Sequence, residues 1–448
     1  MTQSADVVPG RLAPAHIAAN FADIHPPLTP HEAAVEASRC YFCYDAPCIE
    51  ACPTGIDIPS FIRKIATENV RGSALTILEQ NIFGGSCARV CPTEVLCEAA
   101  CVRMAEEERP IRIGALQRYA TDWLMQHEPA PFTRAPDSGR RVAVVGAGPA
   151  GLACAHRLAT HGHAVDVFEA RPKPGGLNEY GIAAYKLAGD FAQREVAFIL
   201  GVGGITVAFG RQLGRDLNLA SLCHDYDAVF LGIGQAGVRA LEIEGESLHG
   251  VRNAVDFIAE LRQAESKGSV AVGRRVVVIG GGNTAIDAAT QAKRLGAEDV
   301  CIVYRRGKAE MSATSEEQEW AQTNGVRILH WAAPARLLEA DGHVTGVAFA
   351  RTAPDAAGRA VPTGESFTLP ADMALKAVGQ LFVPDPLHQG STLALTLDGG
   401  RIAVDADRCT SIAHVFAGGD CIPGADLTVA AVQDGKVAAE AIHRELMG

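Results

Sequence analysis

The sequence contains the same strand–turn–helix–strand pattern twice. RVAVVGAGPAGLACAHRLATHGHAVDVFEA, residues 141–170, and RRVVVIGGGNTAIDAATQAKRLGAEDVCIVYRR, residues 274–306, each place a buried-strand run before a glycine-rich turn. Such a pattern is typical of a βαβ unit that binds a nucleotide. Because it recurs, the region after residue 138 is predicted to contain two nucleotide-binding folds that resemble each other, and therefore to bind two nucleotides.

The first turn, GAGPAG, matches G-x-G-x-x-G at the start of a helix. Backbone N–H groups in such a turn face the pyrophosphate of a dinucleotide. Glu169 ends the next strand, where a carboxylate can bind the ribose hydroxyls of an adenosine. A turn with a purely structural role is the less favoured alternative. The predicted contacts are Gly146, Gly148, Pro149, Ala150, Gly151 and Glu169.

The second copy differs from the first after its closing strand. Where the first copy ends in Glu169, the second reads Tyr304-Arg305-Arg306, so no carboxylate is placed there for a ribose. Two guanidinium groups can bind a 2′-phosphate, which favours NADPH over NADH, but they could equally stack on adenine or face solvent. The predicted nicotinamide-cofactor contacts are Gly280, Gly282, Asn283, Thr284, Ala285, Arg305 and Arg306.

The C-terminal segment, AGGDCIPGADLTVAAVQDGKVAAEAI, indicates which turn binds flavin. Asp420, beside two glycines, can reach a hydroxyl of the ribityl chain or one near the phosphates. A long helix is predicted to start near Asp426 or Thr428, either of which is a plausible N-cap, and to direct its positive end at the flavin. This segment must fold back on the first nucleotide unit, so the predicted FAD contacts also include Gly419, Asp420 and Thr428.

Eight of the thirteen cysteines fall between residues 40 and 101. They form the runs C-x2-C-x4-C-x3-C, from Cys40 to Cys52, and C-x3-C-x5-C-x3-C, from Cys87 to Cys101. Two such dense runs favour two iron–sulfur clusters over structural zinc or buried free thiols, and the fourth cysteine of the first run is expected to serve a different cluster from the first three. The isolated cysteines, expected to be ordinary buried residues, are Cys154, Cys223, Cys301, Cys409 and Cys421.

These patterns predict a multi-domain chain in which an NAD(P)H domain is inserted into an FAD domain. Residues 1–138 read as short helices with little strand signal, and we expect them to be organised around something other than an apolar core. The predicted fold class is an N-terminal α-helical iron–sulfur domain followed by a Rossmann-like α/β flavoprotein. FAD is assigned to residues 139–236 and 380–448, and NAD(P)H to residues 237–379.

Composition argues against several classes of partner. The formal net charge of −12 and the pI near 5.6 argue against nucleic acid and anionic membranes. The N-terminus lacks a secretory pattern and no apolar run is long enough to cross a bilayer, so we expect a cytoplasmic protein without disulfides. The spacing of Cys409 and Cys421 also weakens a disulfide-reductase interpretation, because a flavin-coupled dithiol is closely spaced.

Seven motifs together resemble one known family. Over nearly the whole chain they are similar to the flavin and iron–sulfur half of dihydropyrimidine dehydrogenase and to its free-standing bacterial PreT-type subunits. The glutamate synthase small subunit is a neighbouring relative with the same architecture. The resemblance adds Gly175, Gly176 and Leu177 to the predicted cofactor contacts. The motifs are SRCYFCYDAPCIEACPTGIDIPSFI, CARVCPTEVLCEAAC, IRIGALQRYA, VGAGPAGL, PGGLNEYGI, IGGGNTAID and AGGD.

Residue by residue, the resemblance implies two sets of ligands for [4Fe–4S] clusters, with Cys87 outside both. Gln117 in GALQRY fits the dehydrogenase pattern and favours pyrimidine reduction over the synthase-type alternative. GIAAYKL departs from relatives that have proline and arginine there, and Lys186 is interpreted either as a cation near reduced flavin or as an ordinary surface lysine. The first set is Cys40, Cys43, Cys48 and Cys101, and the second is Cys52, Cys91, Cys97 and Gln117.

The resemblance implies an electron-input subunit that passes electrons from NAD(P)H through FAD and two clusters to another chain. That partner would be an FMN-containing, PreA-like catalytic subunit that reduces uracil or thymine, in a hetero-oligomer. We name no proton-transfer catalyst, because hydride transfer needs positioning more than an acid or base. The alternatives are the small subunit of glutamate synthase or a related bifurcating transhydrogenase, and a non-catalytic redox-sensing or assembly protein.

Overall fold

The computed structural model describes residues 6–389 and 393–448, so residues 1–5 of the N-terminal stretch discussed above lie outside it. The chain divides into two compact units. The smaller unit contains the described residues up to Ile24, Tyr180–Ala188 and Gly237–Leu381. The larger unit contains His25–Glu179, Gly189–Ala236 and the described residues from Phe382 onward.

Helices predominate before residue 128, and strands and helices alternate after residue 140. The helices are α1 Pro14–Asn20, α2 Pro30–Ser38, α3 Pro47–Glu50, α4 Ile58–Ala66, α5 Val70–Leu78, α6 Gly84–Val90, α7 Val102–Glu107, α8 Ile113–His127, α9 Pro149–Thr160, α10 Leu177–Tyr180, α11 Phe191–Leu200, α12 Leu219–Asp225, α13 Ala254–Gln263, α14 Asn283–Arg294, α15 Ser315–Thr323, α16 Asp385–His388 and α17 Thr428–Met447.

Most strands are short, as expected for parallel sheets covered by helices. They are β1 Arg141–Val145, β2 Ala164–Glu169, β3 Ile205–Phe209, β4 Ala228–Leu231, β5 Gly237–Val238, β6 Val251–Asn253, β7 Arg275–Gly280, β8 Asp299–Val303, β9 Arg327–Leu329, β10 Ala332–Ala340, β11 His343–Pro354, β12 Ala360–Pro370, β13 Met373–Ala377, β14 Gln380–Leu381, β15 Leu397–Asp398, β16 Arg401–Ile402 and β17 Val415–Ala417.

The helical region of the larger unit packs around an apolar core, which is continuous with the buried residues from Val142 to Ile442, so the expectation that it is organised around something else is wrong. Polar side chains cap the N-termini of two of its helices. Thr29 and Glu32 form a reciprocal capping box on α2, and Asp57 accepts a hydrogen bond from Ser60 N on α4. The apolar faces then pack together, because short helices are stabilised mainly by burial rather than by propensity. Core members include Phe61, Ile62, Ile77, Phe83, Leu116 and Leu124, all at most 1% exposed.

The parallel sheet of the larger unit has the order β17-β4-β1-β2-β3. Val144 of β1 lies between Val167 of β2 and Phe230 of β4. Helices α9 and α17 approach each other at their backbones, because a Cβ on Gly435 would overlap the carbonyl oxygen of Ala150. The C-terminal helix is thereby held beside the first glycine-rich turn.

The smaller unit contains a second parallel sheet, with the order β6-β13-β7-β8-β9, and a three-stranded antiparallel sheet, β10-β11-β12. The described residues up to Ile24, α1 included, belong to this unit and not to the helical region. Val8 pairs with Val272, and Asn20, the last residue of α1, donates from its side chain to the carbonyl of Arg294 over 2.8 Å. The sequence did not predict this placement. Among the described residues, no helix is long and apolar enough to span a membrane.

Glu195 of α11 anchors that helix to α6, which is followed directly by Cys91. It is 1% exposed. One carboxylate oxygen accepts a 2.8 Å hydrogen bond from Ser86 N, and the other accepts one from the Ser86 hydroxyl. Burial raises the pKa of Glu195 from 4.5 to about 7, although the hydrogen bonds from Ser86 oppose the shift.

We expect Glu195→Gln to change the pH dependence of stability. Between pH 4.5 and about pH 7 the folded protein holds a proton on Glu195 that the unfolded chain releases, so the free energy of unfolding falls as pH rises through that range. The loss is on the order of 3 kcal/mol, and the amide has no proton to lose. Thermal unfolding of both proteins from pH 5 to pH 8 measures the difference.

The matched control is Glu79→Gln, which changes an exposed carboxylate at the end of α5. It should leave the pH profile of the wild-type protein unchanged. A stability difference between wild type and Glu195→Gln that is the same at every pH would contradict the assignment.

Candidate cofactor sites

Four cysteines from separate parts of the helical region line one cavity. Cys40, Cys43, Cys48 and Cys101 share it with apolar side chains such as Ile62 and Ile113. Burial raises the pKa of Cys40, and raises that of Cys48 to about 12. Buried thiols of this kind lose their protons when a metal supplies the compensating charge, so this donor set fits a [4Fe–4S] cluster.

A second group of sulfurs lies around the end of α6. A hydrogen bond with Cys87 and burial raise the pKa of Cys91, and Cys97 and Cys52 raise it further. Burial likewise raises the pKa of Cys97, with an added contribution from Cys52. Cys52, Cys91 and Cys97 therefore influence one another electrostatically, Cys48 of the first set also acts on Cys97, and Cys87 lies one helical turn before Cys91.

Gln117 on α8 is buried and its amide is oriented. Its Nε2 donates to the carbonyl of Gly84, at the start of α6, over 2.7 Å. No described residue donates to its Oε1, which is the atom that could bind iron. Among the described residues, no group of three or more His, Cys, Asp or Glu side chains could hold a single metal ion. The ligand assignments, including Gln117, stay predictions.

The first glycine-rich turn is built from close backbone contacts. Gly146 has φ +101°, and the backbone N–H of Gly175 donates to the carbonyl of Ala147 over 2.7 Å. Gly176 packs so tightly on Gly148 that an added Cβ would lie 2.7 Å from the Gly148 Cα. Pro149 and Ala150 begin α9, and Leu177 begins α10. The backbone amides of such a turn can bind a pyrophosphate.

Glu169 lies beneath this turn, at the end of β2. Its two carboxylate oxygens accept hydrogen bonds from Ala147 N and Arg171 N, each of 2.8 Å. The carboxylate is thus fixed at the end of the strand where the predicted ribose contact requires it, and each oxygen keeps a further lone pair for a hydroxyl.

The C-terminal loop reaches the same turn. A Cβ on Gly419 would lie 3.0 Å from the Cβ of Ala150, and Gln235 donates to the carbonyl of Asp420 over 3.2 Å. Burial raises the pKa of Asp420 to about 6. The structure therefore brings Gly419 and Asp420 to the first turn, as the sequence analysis predicted they must fold.

The predicted N-caps of α17 are both wrong. Leu427 occupies the N-cap position without a side-chain hydrogen bond, and Thr428 is the first helical residue. Asp426 instead forms a 2.7 Å ion pair with Arg401, while the Thr428 hydroxyl donates to Asn178 Oδ1 over 2.9 Å. Both side chains therefore bind residues outside the helix, and no side chain caps the first backbone amides of α17.

The second turn has the same tight geometry. Gly280 has φ +148°, and Gly281 lies against the ring of Tyr304. Asn283, Thr284 and Ala285 form the first turn of α14. The carbonyl of Arg305 accepts a hydrogen bond from the Thr352 hydroxyl, and that of Arg306 accepts one from Trp331 N. The side chains of both arginines are exposed and form no ion pair with a described residue.

Lys186 is not a surface lysine. Its side chain is 10% exposed and its Nζ lies 2.7 Å from Asp287 and 2.6 Å from Glu317. Burial opposes the charge, but the two carboxylates outweigh it and raise the pKa of Lys186. Lys186 thereby fixes Tyr180–Ala188 to helices α14 and α15 of the smaller unit. Its predicted role near reduced flavin stays a prediction.

Three polar residues near these sites were missed by sequence reasoning. Glu195 bonds to Ser86, and Lys436 on α17 donates to the carbonyl of Thr54 over 2.9 Å. Asn178 accepts from Thr428. Each contact joins residues more than 100 positions apart, so no local pattern could have indicated it.

Comparison with known proteins agrees with this architecture. Residues 17–129 match a family described as dihydropyrimidine dehydrogenase domain II, 4Fe-4S cluster, and residues 140–435 match the pyridine nucleotide-disulphide oxidoreductases. The second match covers well over half of the chain. The chain belongs to the pyridine nucleotide-disulphide oxidoreductase family. Its N-terminal iron–sulfur domain and its FAD- and NAD(P)H-binding fold confirm the predicted fold class.

Two kinds of relative are similar to this chain over nearly all of both sequences. The chain is 36% identical to the NAD-dependent dihydropyrimidine dehydrogenase subunit PreT of Salmonella typhimurium, over 95% of this chain and 98% of the relative. It is 35% identical to the NADPH glutamate synthase small chain of Escherichia coli, over 94% and 93%. The resemblance to PreT-type subunits is confirmed, and the synthase small chains are relatives at a similar level.

Solved structures support the flavoprotein fold. FprA from Mycobacterium tuberculosis matches with a TM-score of 0.58 at 21% identity, over 70% of this chain and 85% of that one. Thioredoxin reductase from T. acidophilum matches with a TM-score of 0.52 at 20% identity, over 69% and 100%. Family and fold together identify an NAD(P)H-dependent oxidoreductase with FAD and 4Fe–4S clusters as its cofactors.

Replacing Arg305 and Arg306 with alanine tests the 2′-phosphate hypothesis. If the two guanidiniums bind that phosphate, the affinity for NADPH falls tenfold or more, since each charged hydrogen bond contributes about 1.5–3 kcal/mol, while the affinity for NADH changes little. Stopped-flow flavin reduction by each cofactor measures both. Arg336→Ala, which removes another exposed arginine of the smaller unit, is the control. An unchanged NADPH-to-NADH preference refutes the role.

Replacing Gln117 with cysteine tests the ligand assignment. A thiolate in place of an amide oxygen adds negative charge at one cluster, so the EPR spectrum or midpoint potential of that cluster alone should change. The control is Gln318→Cys, because Gln318 is also buried and donates to a backbone carbonyl, that of Ala313. Unchanged spectra of both clusters in Gln117→Cys would count against ligation.

Proposed function

We propose that this chain is the electron-input subunit of a dihydropyrimidine dehydrogenase. It takes reducing equivalents from NAD(P)H and delivers them to a partner chain that carries FMN and reduces uracil or thymine to the 5,6-dihydro compound. The observation that carries this choice is Gln117, a buried glutamine whose amide donates to the carbonyl of Gly84 at the start of α6, the helix that Cys91 follows. The 36% identity to a PreT subunit of dihydropyrimidine dehydrogenase supports it.

Residues in different parts of this chain are proposed to bind different cofactors. Around Gly280 the second turn would hold the nicotinamide cofactor, and around Gly146 the first turn would hold the flavin pyrophosphate. Glu169 and Asp420 would bind hydroxyls of the flavin. When bound, flavin and clusters supply the conversion of a two-electron hydride into single-electron steps. The contribution of the protein is positioning and electrostatics, and we assign no side chain as an acid or base.

In this proposal the chain holds both clusters, and a partner chain holds the final substrate. Cys40, Cys43, Cys48 and Cys101 would hold one cluster, and Cys52, Cys91, Cys97 and Gln117 the other. The two recognised domains account for residues 17–129 and 140–435, and neither description includes a pyrimidine site. We therefore place the final substrate on another chain and propose a hetero-oligomer. We also propose a cytoplasmic location, where all thirteen cysteines stay free thiols or thiolates.

A second candidate function is that of a glutamate synthase small subunit. The observation that favours it is the 35% identity to the Escherichia coli small chain over nearly all of both sequences. The two candidates share every cofactor and differ in the partner. We use Gln117 to choose between the two candidates, because it fits the dehydrogenase pattern.

Anaerobic purification of the native complex from its source tests the proposal. We expect an FMN-containing partner near the size of this chain, and NAD(P)H oxidation that depends on uracil or thymine. A much larger partner with a glutamine-hydrolysing domain, and oxidation that depends on glutamine and 2-oxoglutarate, would transfer the assignment to glutamate synthase. Oxidation of NAD(P)H with an artificial dye, in the loaded chain alone, shows independently that electron input works.

A further inference from the structure

Lys436, on helix α17, binds the turn that carries a proposed cluster ligand. Its Nζ donates to the carbonyl of Thr54 over 2.9 Å and to the backbone and side-chain oxygens of Gln80, each at 3.1 Å. Burial lowers the pKa of Lys436 to about 8, so the ammonium keeps its charge at neutral pH. A cation is thus held by three oxygens of the helical region.

Thr54 connects this cation to sulfur. Its hydroxyl lies 3.3 Å from the Sγ of Cys52, and the residue is 2% exposed. The turn is closed by Gly55 N, which donates to the carbonyl of Cys52 over 2.9 Å. A cysteine that binds iron as a thiolate has no proton to donate, so in the loaded protein the Thr54 hydroxyl is the donor to Cys52.

We propose that Lys436 is a positioning residue that, through Thr54, raises the reduction potential of the cluster bound by Cys52. The inference rests on the proposed assignment of Cys52 as a ligand. Reduction adds one electron to a cluster, and a fixed positive charge together with a hydrogen bond to a ligand sulfur stabilises that electron. The other set has a different cation nearby, because Arg103 lines the cavity that contains Cys40.

EPR-monitored redox titration of the full chain, purified anaerobically, measures the potential of each cluster. Lys436→Met removes the charge at similar length, Lys436→Arg retains it, and Thr54→Val removes the hydroxyl at similar shape. We expect Lys436→Met and Thr54→Val each to lower the potential of the same single cluster, with Lys436→Arg closer to the wild type. The double variant should shift less than the sum of the two single shifts, because both residues act through one turn.

The control is Arg444→Met, which removes a positive charge from the exposed end of α17, where Arg444 pairs with Asp407. It should leave both potentials unchanged, and an equal shift in this control would overturn the proposal in favour of general surface electrostatics. If Lys436→Met loses iron, the proposal is tested by Thr54→Val alone. An unchanged cluster potential in Thr54→Val would then overturn the proposal.

The Gln117→Cys variant identifies which cluster is affected. If it alters one cluster and Lys436→Met does not shift that cluster, the role of Lys436 fails while the ligand assignment stands. If it alters neither cluster, yet Lys436→Met and Thr54→Val shift the same one, the assignment of Gln117 fails while the link from Lys436 to Cys52 stands.

Discussion

Because glycine has no side chain, Gly435 lets the C-terminal helix α17 contact the backbone of α9 at Ala150. Much of the arrangement of the larger unit follows from that contact. Because α17 can lie against the backbone of Ala150, the loop before it meets the first glycine-rich turn and Thr428 reaches Asn178. One residue beyond Gly435, the same helix presents Lys436 to Thr54. The loop that contains Asp420, the first glycine-rich turn and the turn at Thr54 are thus placed by one approach of two backbones.

Local physics explains what could be predicted from the sequence. Gly146 and Gly280 signalled their turns, because only glycine tolerates the backbone conformation and the close contacts found there. The parallel strands were recognised by their continuous apolar runs. The iron–sulfur domain was recognised by the density of its cysteines. The first run already predicted that Cys52 serves a different cluster from the first three, whereas its partners in the later run came from resemblance and not from spacing.

Contacts between distant residues explain what could not be predicted. Glu195 and Ser86 are separated by 109 positions, and Lys436 and Thr54 by 382; no propensity or periodicity encodes such pairs. Val8 forms an isolated bridge with Val272, which is far along the chain and outside the named strands. The core of the helical region was not anticipated, because its apolar residues are spread over several short helices, although α4 alone carries an apolar face formed by Ile58, Phe61, Ile62 and Ile65.

Lys186 has a consequence for the order in which the chain can fold. Its carboxylate partner Glu317 is 131 residues further along the sequence, whereas the residues on both sides of Tyr180–Ala188 belong to the larger unit. During synthesis from the N-terminus, this lysine leaves the ribosome long before either of its counter-ions exists. The nine-residue segment can form these ion pairs only after Glu317 has been synthesised, and the larger unit that flanks it is complete only after its C-terminal residues. The two units are therefore completed in an interleaved and not a sequential order.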